Sequence, residues 1–272
     1  MPPQSGVDVG NDESLAWLFD AKIGLVQARR GHRTAVDALA LAWFASRVCS
    51  AADLRPHSLV DLGAGSGIVA ILVGAVLPEL RMTLVETQPR QVDRAQRNAT
   101  LNGMANRVQV VAHDLAAPLP LALGRFALVV TNPPFRRLGQ DQPPQSEERR
   151  LAHFESTADL QVWLRRVAES LADPGLAIAI YPWQNRARLS QAAKVAGLHG
   201  HVVQMRHSPS DASPTRALMV ASRQPLPATL IKMSGFSLHP DGTADSTYTD
   251  EIQSFIETMT RSSWAPLSPL SG

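Results

Sequence analysis

The stretch "SLVDLGAGSGIVAILVGAVL", Ser58 to Leu77, decides the fold. Residues of strand character run into a turn carrying Gly63, Gly65 and Gly67, and an apolar run of helical character follows at once. Glycine at a strand end lets the backbone turn tightly and approach a ligand. Outward from this unit the alternation repeats. "RMTLVE" is a second strand, and "PRQVDRAQRNATLNG" is a helix with Pro89 at its start and Gly103 past its end, the placement helices favour. "RVQVVAHD" and "RFALVVTN" are the third and fourth strands. "TADLQVWLRRVAESL" is a helix opened by Thr157, "GLAIAIYP" a fifth strand and "QNRARLSQAAKVAG" another helix. "HGHVVQMRH" and "TRALMVAS", on either side of the turn signal "SPSDASP", close the pattern as two alternating strands. The pattern implies an α/β fold: a doubly wound, Rossmann-like, mostly parallel seven-stranded sheet with an antiparallel hairpin at one edge.

The chain of 272 residues, 44% hydrophobic and 18% charged, suits one large domain with extensions and a sizeable core. Four segments are expected. Residues 1–14 are polar and disordered, and 15–55 lie near the site and contain the helical pattern "TAVDALALAWFASRV". Residues 56–223 form the main domain, and 224–272 are a Pro-containing extension that frays at its end. Cys49 is the single cysteine, which excludes an intramolecular disulfide and a disulfide-stapled secreted fold. The start, "MPPQSGVDVGNDES", lacks the basic and apolar regions of a signal peptide. The longest apolar stretch, Ile68 to Leu80, is broken by Gly74 and Pro78 and falls short of the ~18–20 residues of a membrane span. A soluble, cytoplasmic protein with no membrane partner is expected. Its net charge is +2 and its pI about 9.0, with paired arginines at 29–30, 136–137, 149–150 and 165–166. Each pair alone reads as solvated surface, while together they permit a polyanionic partner.

The glycine turn lacks the full dinucleotide fingerprint, because Ile68 stands where G-x-G-x-x-G needs its last glycine. Nicotinamide and flavin are therefore disfavoured. Asp61 precedes the turn, and Glu86 ends the second strand, where an acid accepts hydrogen bonds from a ribose diol and repels a phosphate. Asp114 ends the third strand, within reach of an adenine amino group. A solvated strand end explains any one of these acids; three at successive strand ends beside a glycine turn point to a nucleoside pocket.

The ordered set Asp61, Gly63, Gly65, Gly67, Glu86, Asp114 and Asn132-Pro133-Pro134-Phe135 resembles the class I S-adenosylmethionine-dependent methyltransferases. More closely, it resembles the small-domain group that methylates planar nitrogen and writes its acceptor motif Asn-Pro-Pro-Tyr or Asn-Pro-Pro-Phe. "LVQARRGHRTAVDALALA" (Leu25 to Ala42), "LAHFE" (Leu151 to Glu155) and "LHPDG…YTDE" (Leu238 to Glu251) are similar to segments of the tRNA1(Val) adenine-37 N6-methyltransferase family. The likeness covers about residues 20–255. It departs at His32, where Tyr is usual, in the Arg missing from "LAHFE", in "TADST" before Tyr248 and in the loop 139–150. The resemblance implies S-adenosyl-L-methionine as methyl donor, with S-adenosylhomocysteine as product. It also draws Arg33 and Asp37 towards the cofactor pocket, although Asp37 also reads as a helix-surface acid and Arg33 as a phosphate or Asp37 contact.

The chemistry of "ALVVTNPPFRRLG", Ala127 to Gly139, fits that reading. The lone pair of an exocyclic amine is conjugated into its ring, so a site must align the nitrogen and accept its protons. The Asn132 amide carbonyl and the Pro133 backbone carbonyl supply two acceptors, and proline's fixed φ holds the second rigidly. Phe135 is expected to stack on the base, worth ~1–3 kcal/mol. No metal is required. His199, His201 and His207 read as exposed strand histidines, not ligands, and Trp43 and Trp163 as core or interface. The expected activity is methylation of adenine N6 in RNA, most of all tRNA, with basic residues near Arg29, Arg30, Arg136 and Arg137 contacting its phosphates. A protein glutamine N5-methyltransferase, which uses the same loop, and a small-molecule methyltransferase stay open. The first is expected to carry a larger helical segment before its first strand, and an oxygen acceptor has no use for two carbonyls.

Overall fold

The computed structural model describes residues 6–29, 35–134, 159–243 and 247–261. Its strands are β1 (Glu13–Leu18), β2 (Ile23–Ala28), β3 (Ser58–Leu62), β4 (Arg81–Glu86), β5 (Val108–Ala112), β6 (Phe126–Thr131), β7 (Leu171–Pro182), β8 (His199–Arg206), β9 (Arg216–Ser222) and β10 (Phe236–Ser237). Its helices are α1 (Ala35–Ala51), α2 (Ile68–Val76), α3 (Pro89–Leu101), α4 (Leu160–Ser170), α5 (Arg186–Val195), α6 (Ala228–Ile231) and α7 (Asp250–Arg261). Eight strands form one sheet in the order β10-β8-β9-β7-β6-β3-β4-β5. The β3–β7 strands run parallel, β9 is antiparallel to β7 and β8, and β10 adds parallel to β8. The expected doubly wound α/β architecture is present.

Side-chain parity explains the layering. Leu59, Leu84, Leu128, Val130, Ile178, Ile180, Leu218 and Val220 pack on one face with α1, α2 and α7. Their chain neighbours Val60, Val85, Val129, Ala177, Ala179, Met219 and Ala221 pack on the other face with α4 and α5. Strands apolar at every position, rather than alternating, are what a sheet covered on both sides requires. Because β3 is flanked by β4 on one side and β6 on the other, the strand order reverses there. The crevice beyond the carboxyl ends of β3, β4 and β6 is therefore where such a sheet takes a ligand.

Three features differ from expectation. The sheet has eight strands, not seven, because β10 pairs outside β8, so the β8–β9 hairpin is not the outer edge. A two-residue strand carries no periodic signal. Second, residues 13–28 form the hairpin β1–β2. Its turn holds Phe19, Asp20 and Ala21 at φ of 53°, 55° and 63°, without the glycine or Asn-Gly pair that marks hairpins in sequence. Third, α4 starts at Leu160, capped by Asp159, whose Oδ1 accepts from the Leu160 N–H at 2.6 Å. Thr157 lies outside the described residues.

The hairpin is tied to α3 by side chains that imitate a neighbouring strand. Asn102 exchanges two hydrogen bonds with the Gly24 backbone (3.0 and 2.8 Å), and Asn98 does the same with Val26 (2.7 and 3.0 Å). Asn98 Nδ2 also donates to the Ser66 carbonyl at 2.9 Å, which joins the hairpin to the glycine turn. At the hairpin's start, the buried Glu13 carboxylate receives Arg94 at 2.7 Å and Arg97 at 2.7 and 2.9 Å. Among the described residues no helix is long and apolar enough to cross a membrane.

Candidate active site

The glycine turn is shaped from below. Gly63, Gly65 and Gly67 take φ of 74°, 54° and 82°, a region L side chains rarely adopt, and the Gly63 and Ala64 N–H groups donate to the Val85 carbonyl at 2.8 and 3.0 Å. A Cβ on Gly67 would strike Leu84, and one on Gly63 would strike Trp163 at 2.6 Å. At Gly65, by contrast, a Cβ would meet nothing within 4 Å, so the turn opens onto free space at its middle.

Glu86 ends β4 beneath that opening. Its Oε2 accepts from the Gly65 N–H at 2.9 Å, and its Oε1 accepts from the Thr87 and Gln88 N–H groups, each at 2.9 Å. The carboxylate therefore fastens the glycine turn to the start of α3 and keeps about one of its roughly four acceptor directions for a ligand. Asp61, on β3 in register with Leu84 and Val130, is 2% exposed and its Oδ2 has no partner. Burial pushes its carboxyl up to about 7, against the Ala70 N–H that favours the charged form, and the Glu86 charge adds to the rise.

Asn132 follows the last residue of β6, and its Oδ1 is buried without a partner; Pro133 beside it is buried. Among the described residues, the other buried side-chain polar atoms without partners are Gln91 Oε1, in the first turn of α3, and His113 Nε2, just past β5. All four orphaned atoms, those of Asp61, Gln91, His113 and Asn132, thus lie at the carboxyl ends of β3 to β6 or in the helix turn that follows. Buried polar atoms in folded proteins are paired as a rule, so orphans gathered along one edge of the sheet mark where a ligand's polar atoms belong.

The remaining expected residues are placed differently. Asp114 is exposed, and its Oδ1 accepts from the Ala116 N–H at 2.9 Å. Asp37, in the first turn of α1, is buried and paired with Arg216 at the start of β9, at 3.0 Å. Arg29 ends the hairpin exposed, its Nε donating to the Glu13 carbonyl. Arg33, Phe135, Arg30, Arg136 and Arg137, the loop 139–150 and "LAHFE" lie outside the described residues. His199 is exposed as expected, but His201 is half-buried near the Met233 carbonyl, and His207 lies past β8 with its ring 4.5 Å from that of His239. Trp43 is in the core, its ring 4.3 Å from that of Phe236. Nothing in the sequence ties Gln91 or Trp163 to this edge of the sheet: Gln91 is one polar residue among many in its helix, and Trp163, buried as expected, lies on an apolar helical face that marks burial and not which loop it meets.

The stretch from the last turns of α1 to residue 148 is similar to a known family. Residues 45–148 match the methyltransferase small domain. That span holds Asp61, the three glycines, Glu86, Asp114 and Asn132, so the resemblance read from the motifs is borne out. The chain is 30% identical over 135 residues to a tRNA1(Val) (adenine(37)-N6)-methyltransferase of Porphyromonas gingivalis, covering 48% of this chain and 52% of that one. A relative of the same name from Citrobacter koseri is 27% identical over 143 residues, 52% of this chain and 57% of that one. The chain thus spans about half the length of these relatives. Among solved structures, a predicted O-methyltransferase from Agrobacterium tumefaciens superposes with a TM-score of 0.57 at 21% identity, over 82% of this chain and 96% of the other, which confirms the fold.

Proposed function

We propose that this chain is an S-adenosylmethionine-dependent N-methyltransferase that methylates adenine N6 in RNA, with cytoplasmic tRNA as its substrate. One observation carries the reading: Asn132 Oδ1 is buried and unpartnered at the end of β6, the strand beside β3 and its equally orphaned Asp61 Oδ2. A buried amide oxygen with nothing to accept calls for an N–H donor from a substrate. The similarity of residues 45–148 to the methyltransferase small domain, and of half the chain to adenine-N6 enzymes, supports the same chemistry.

The pocket fits the methyl donor. S-adenosylmethionine, when bound, supplies an electrophilic methyl carbon on a sulfonium, to which a nitrogen lone pair bonds as the carbon–sulfur bond breaks; the methylated nitrogen, then cationic and acidic, gives its extra proton to water. Its amine, ribose hydroxyls and adenine amine are donors, and the orphaned oxygens of Asp61 and Gln91 are acceptors. Asp61 and Glu86 would hold the amine and a ribose hydroxyl, the open face of Gly65 would admit the nucleoside, and Asp114 would receive the adenine amine. Asn132 Oδ1 and the Pro133 carbonyl would accept the two hydrogens of the substrate's exocyclic nitrogen. This arrangement frees the lone pair from the ring and favours a pyramidal nitrogen. Phe135 would stack on the base, which must be unpaired or flipped to reach the site. Asp37 and Arg33 would act at the margin of the pocket, Asp37 through its pair with Arg216, and Arg29, Arg30, Arg136 and Arg137 would meet phosphates.

Incubation with tritium-labelled S-adenosylmethionine and total RNA or total protein tests the reading. Label in RNA, with loss of N6-methyladenosine from the tRNA of a deletion strain by mass spectrometry, is expected. Label confined to protein would replace it with a glutamine acceptor.

A further inference from the structure

One hydrogen-bond chain crosses the sheet beneath the acceptor loop. The Trp163 indole Nε1–H on α4 donates to Thr131 Oγ1 at 2.7 Å, and the Thr131 hydroxyl donates to the Leu62 carbonyl at 2.8 Å. Thr131 is the residue before Asn132, and Leu62 is the residue before Gly63. The two are register partners across β3 and β6. The Trp163 ring also fills the space left by the missing Cβ of Gly63, which would sit 2.6 Å from it. Both side chains are buried, Thr131 at 1% and Trp163 at 6% exposure. Parity separates their tasks: Thr131 faces the α4 layer, while Asn132 follows with the opposite parity and leaves its Oδ1 unpartnered.

We infer that Trp163 and Thr131 are positioning residues that lock the acceptor asparagine to the glycine turn. The inference rests on the methyltransferase reading of the site. The hydroxyl of Thr131 is used as both donor and acceptor, so its rotamer is fixed and the backbone on which Asn132 sits cannot slide along β3. Trp163 sets the height of Gly63 on one side and holds Thr131 on the other, so one indole ties the two walls of the pocket. A displacement of the order of 1 Å at a reacting group costs about 10²-fold in rate, whereas binding of a cofactor held by Asp61 and Glu86 tolerates it.

The test compares T131V, T131S and W163F with wild type in methyl transfer to total RNA, alongside calorimetric binding of S-adenosylhomocysteine and thermal unfolding. T131V is expected to lower kcat about 10- to 100-fold with the dissociation constant within about threefold, and T131S, which keeps the hydroxyl, to restore most of it. W163F is expected to lower kcat similarly, and the W163F/T131V double variant to fall no further than the weaker single. A fully additive double variant, or a T131V with wild-type kcat, overturns the inference while the functional reading stands. Should T131V not fold, W163F with unchanged kcat overturns it equally. A wild-type protein that transfers no methyl to RNA or to protein overturns both.

Discussion

Glu13 and Asp61 are both carboxyls buried to within a few per cent, at 6% and 2% exposure, yet the first is held at about 2 and the second is pushed up to about 7. Their surroundings differ in one respect. Glu13, at the foot of the N-terminal hairpin, takes hydrogen bonds from Arg97, Arg94 and the Gly10 N–H. Asp61, at the end of β3, keeps an oxygen with no partner and feels the negative charge of Glu86. The same contrast separates Asn98, whose oxygen and nitrogen are both engaged, from Asn132, whose oxygen is not. The contact between the hairpin and the later turns of α3 is a finished polar network, while the carboxyl edge of the sheet, with Gln91 in the first turn of α3, is left incomplete. A half-satisfied buried network is a poor stabiliser, and its place at the switch point of the strand order gives it a use.

The sharpest way to break this comparison is to truncate one member on each side. Asn132→Ala removes an acceptor that no protein group uses, so methyl transfer should fall by about 10²-fold or more while thermal stability holds. Calorimetry with S-adenosylhomocysteine should show affinity within about threefold. Full activity in this variant would remove Asn132 from the site. Glu13→Gln should behave in reverse. It removes the negative charge that Arg94 and Arg97 meet at the foot of the hairpin, so about 3 kcal/mol of unfolding free energy should be lost in denaturant titration. The remaining folded protein should keep its activity.

The positions of the glycine turn, of the acids near the strand ends and of the Asn-Pro-Pro stretch are legible because each depends on a local rule: a turn needing φ > 0, the end of a strand, an apolar run that stops at proline. The hairpin β1–β2 was not legible, since its turn uses Phe19-Asp20-Ala21 with no glycine. Nor was the Trp163–Thr131 bond, which joins residues 32 positions apart. The Asn98 and Asn102 bridges span over seventy residues, and nothing in "RNATLN" distinguishes them from solvated helix polar groups. That Glu86 anchors the Gly65 N–H depends on the height of β4 against β3, a tertiary fact that its place at a strand end does not reveal.

The pH dependence should carry both signatures. For Glu13, whose carboxyl drops from 4.5 to about 2 on folding, the stabilisation is complete above 4.5 and is lost as pH falls towards 2. For Asp61, raised from 3.8 to about 7, the sign is opposite: the ligand-free protein loses stability as pH rises from 3.8 through 7. Thermal midpoints against pH should therefore fall on both sides. Glu13→Gln should flatten the acid limb, and Asp61→Asn the limb between about 4 and 7. Binding of a ligand amine to Asp61 should pull its carboxyl back down and release a proton. Calorimetry in two buffers of different ionisation enthalpy should record that proton near pH 7. Equal heats in both buffers would leave Asp61 outside the ligand contact.

The smallest effect should come from Asp114, where the two regions' logic meets an exposed side chain. Its Oδ1 accepts from the Ala116 N–H in the turn after β5, and water can replace that bond. Asp114→Ala should leave the thermal midpoint within about 1 °C, since an exposed turn bond contributes little to stability. If Asp114 also receives an adenine amine, its loss should weaken S-adenosylhomocysteine by about 3- to 10-fold, the worth of one hydrogen bond. The affinity for an analogue lacking the adenine amino group should then be the same in wild type and variant. Equal weakening of both ligands would instead mean that Asp114 acts by shaping the turn around His113, whose orphaned Nε2 lies one residue away.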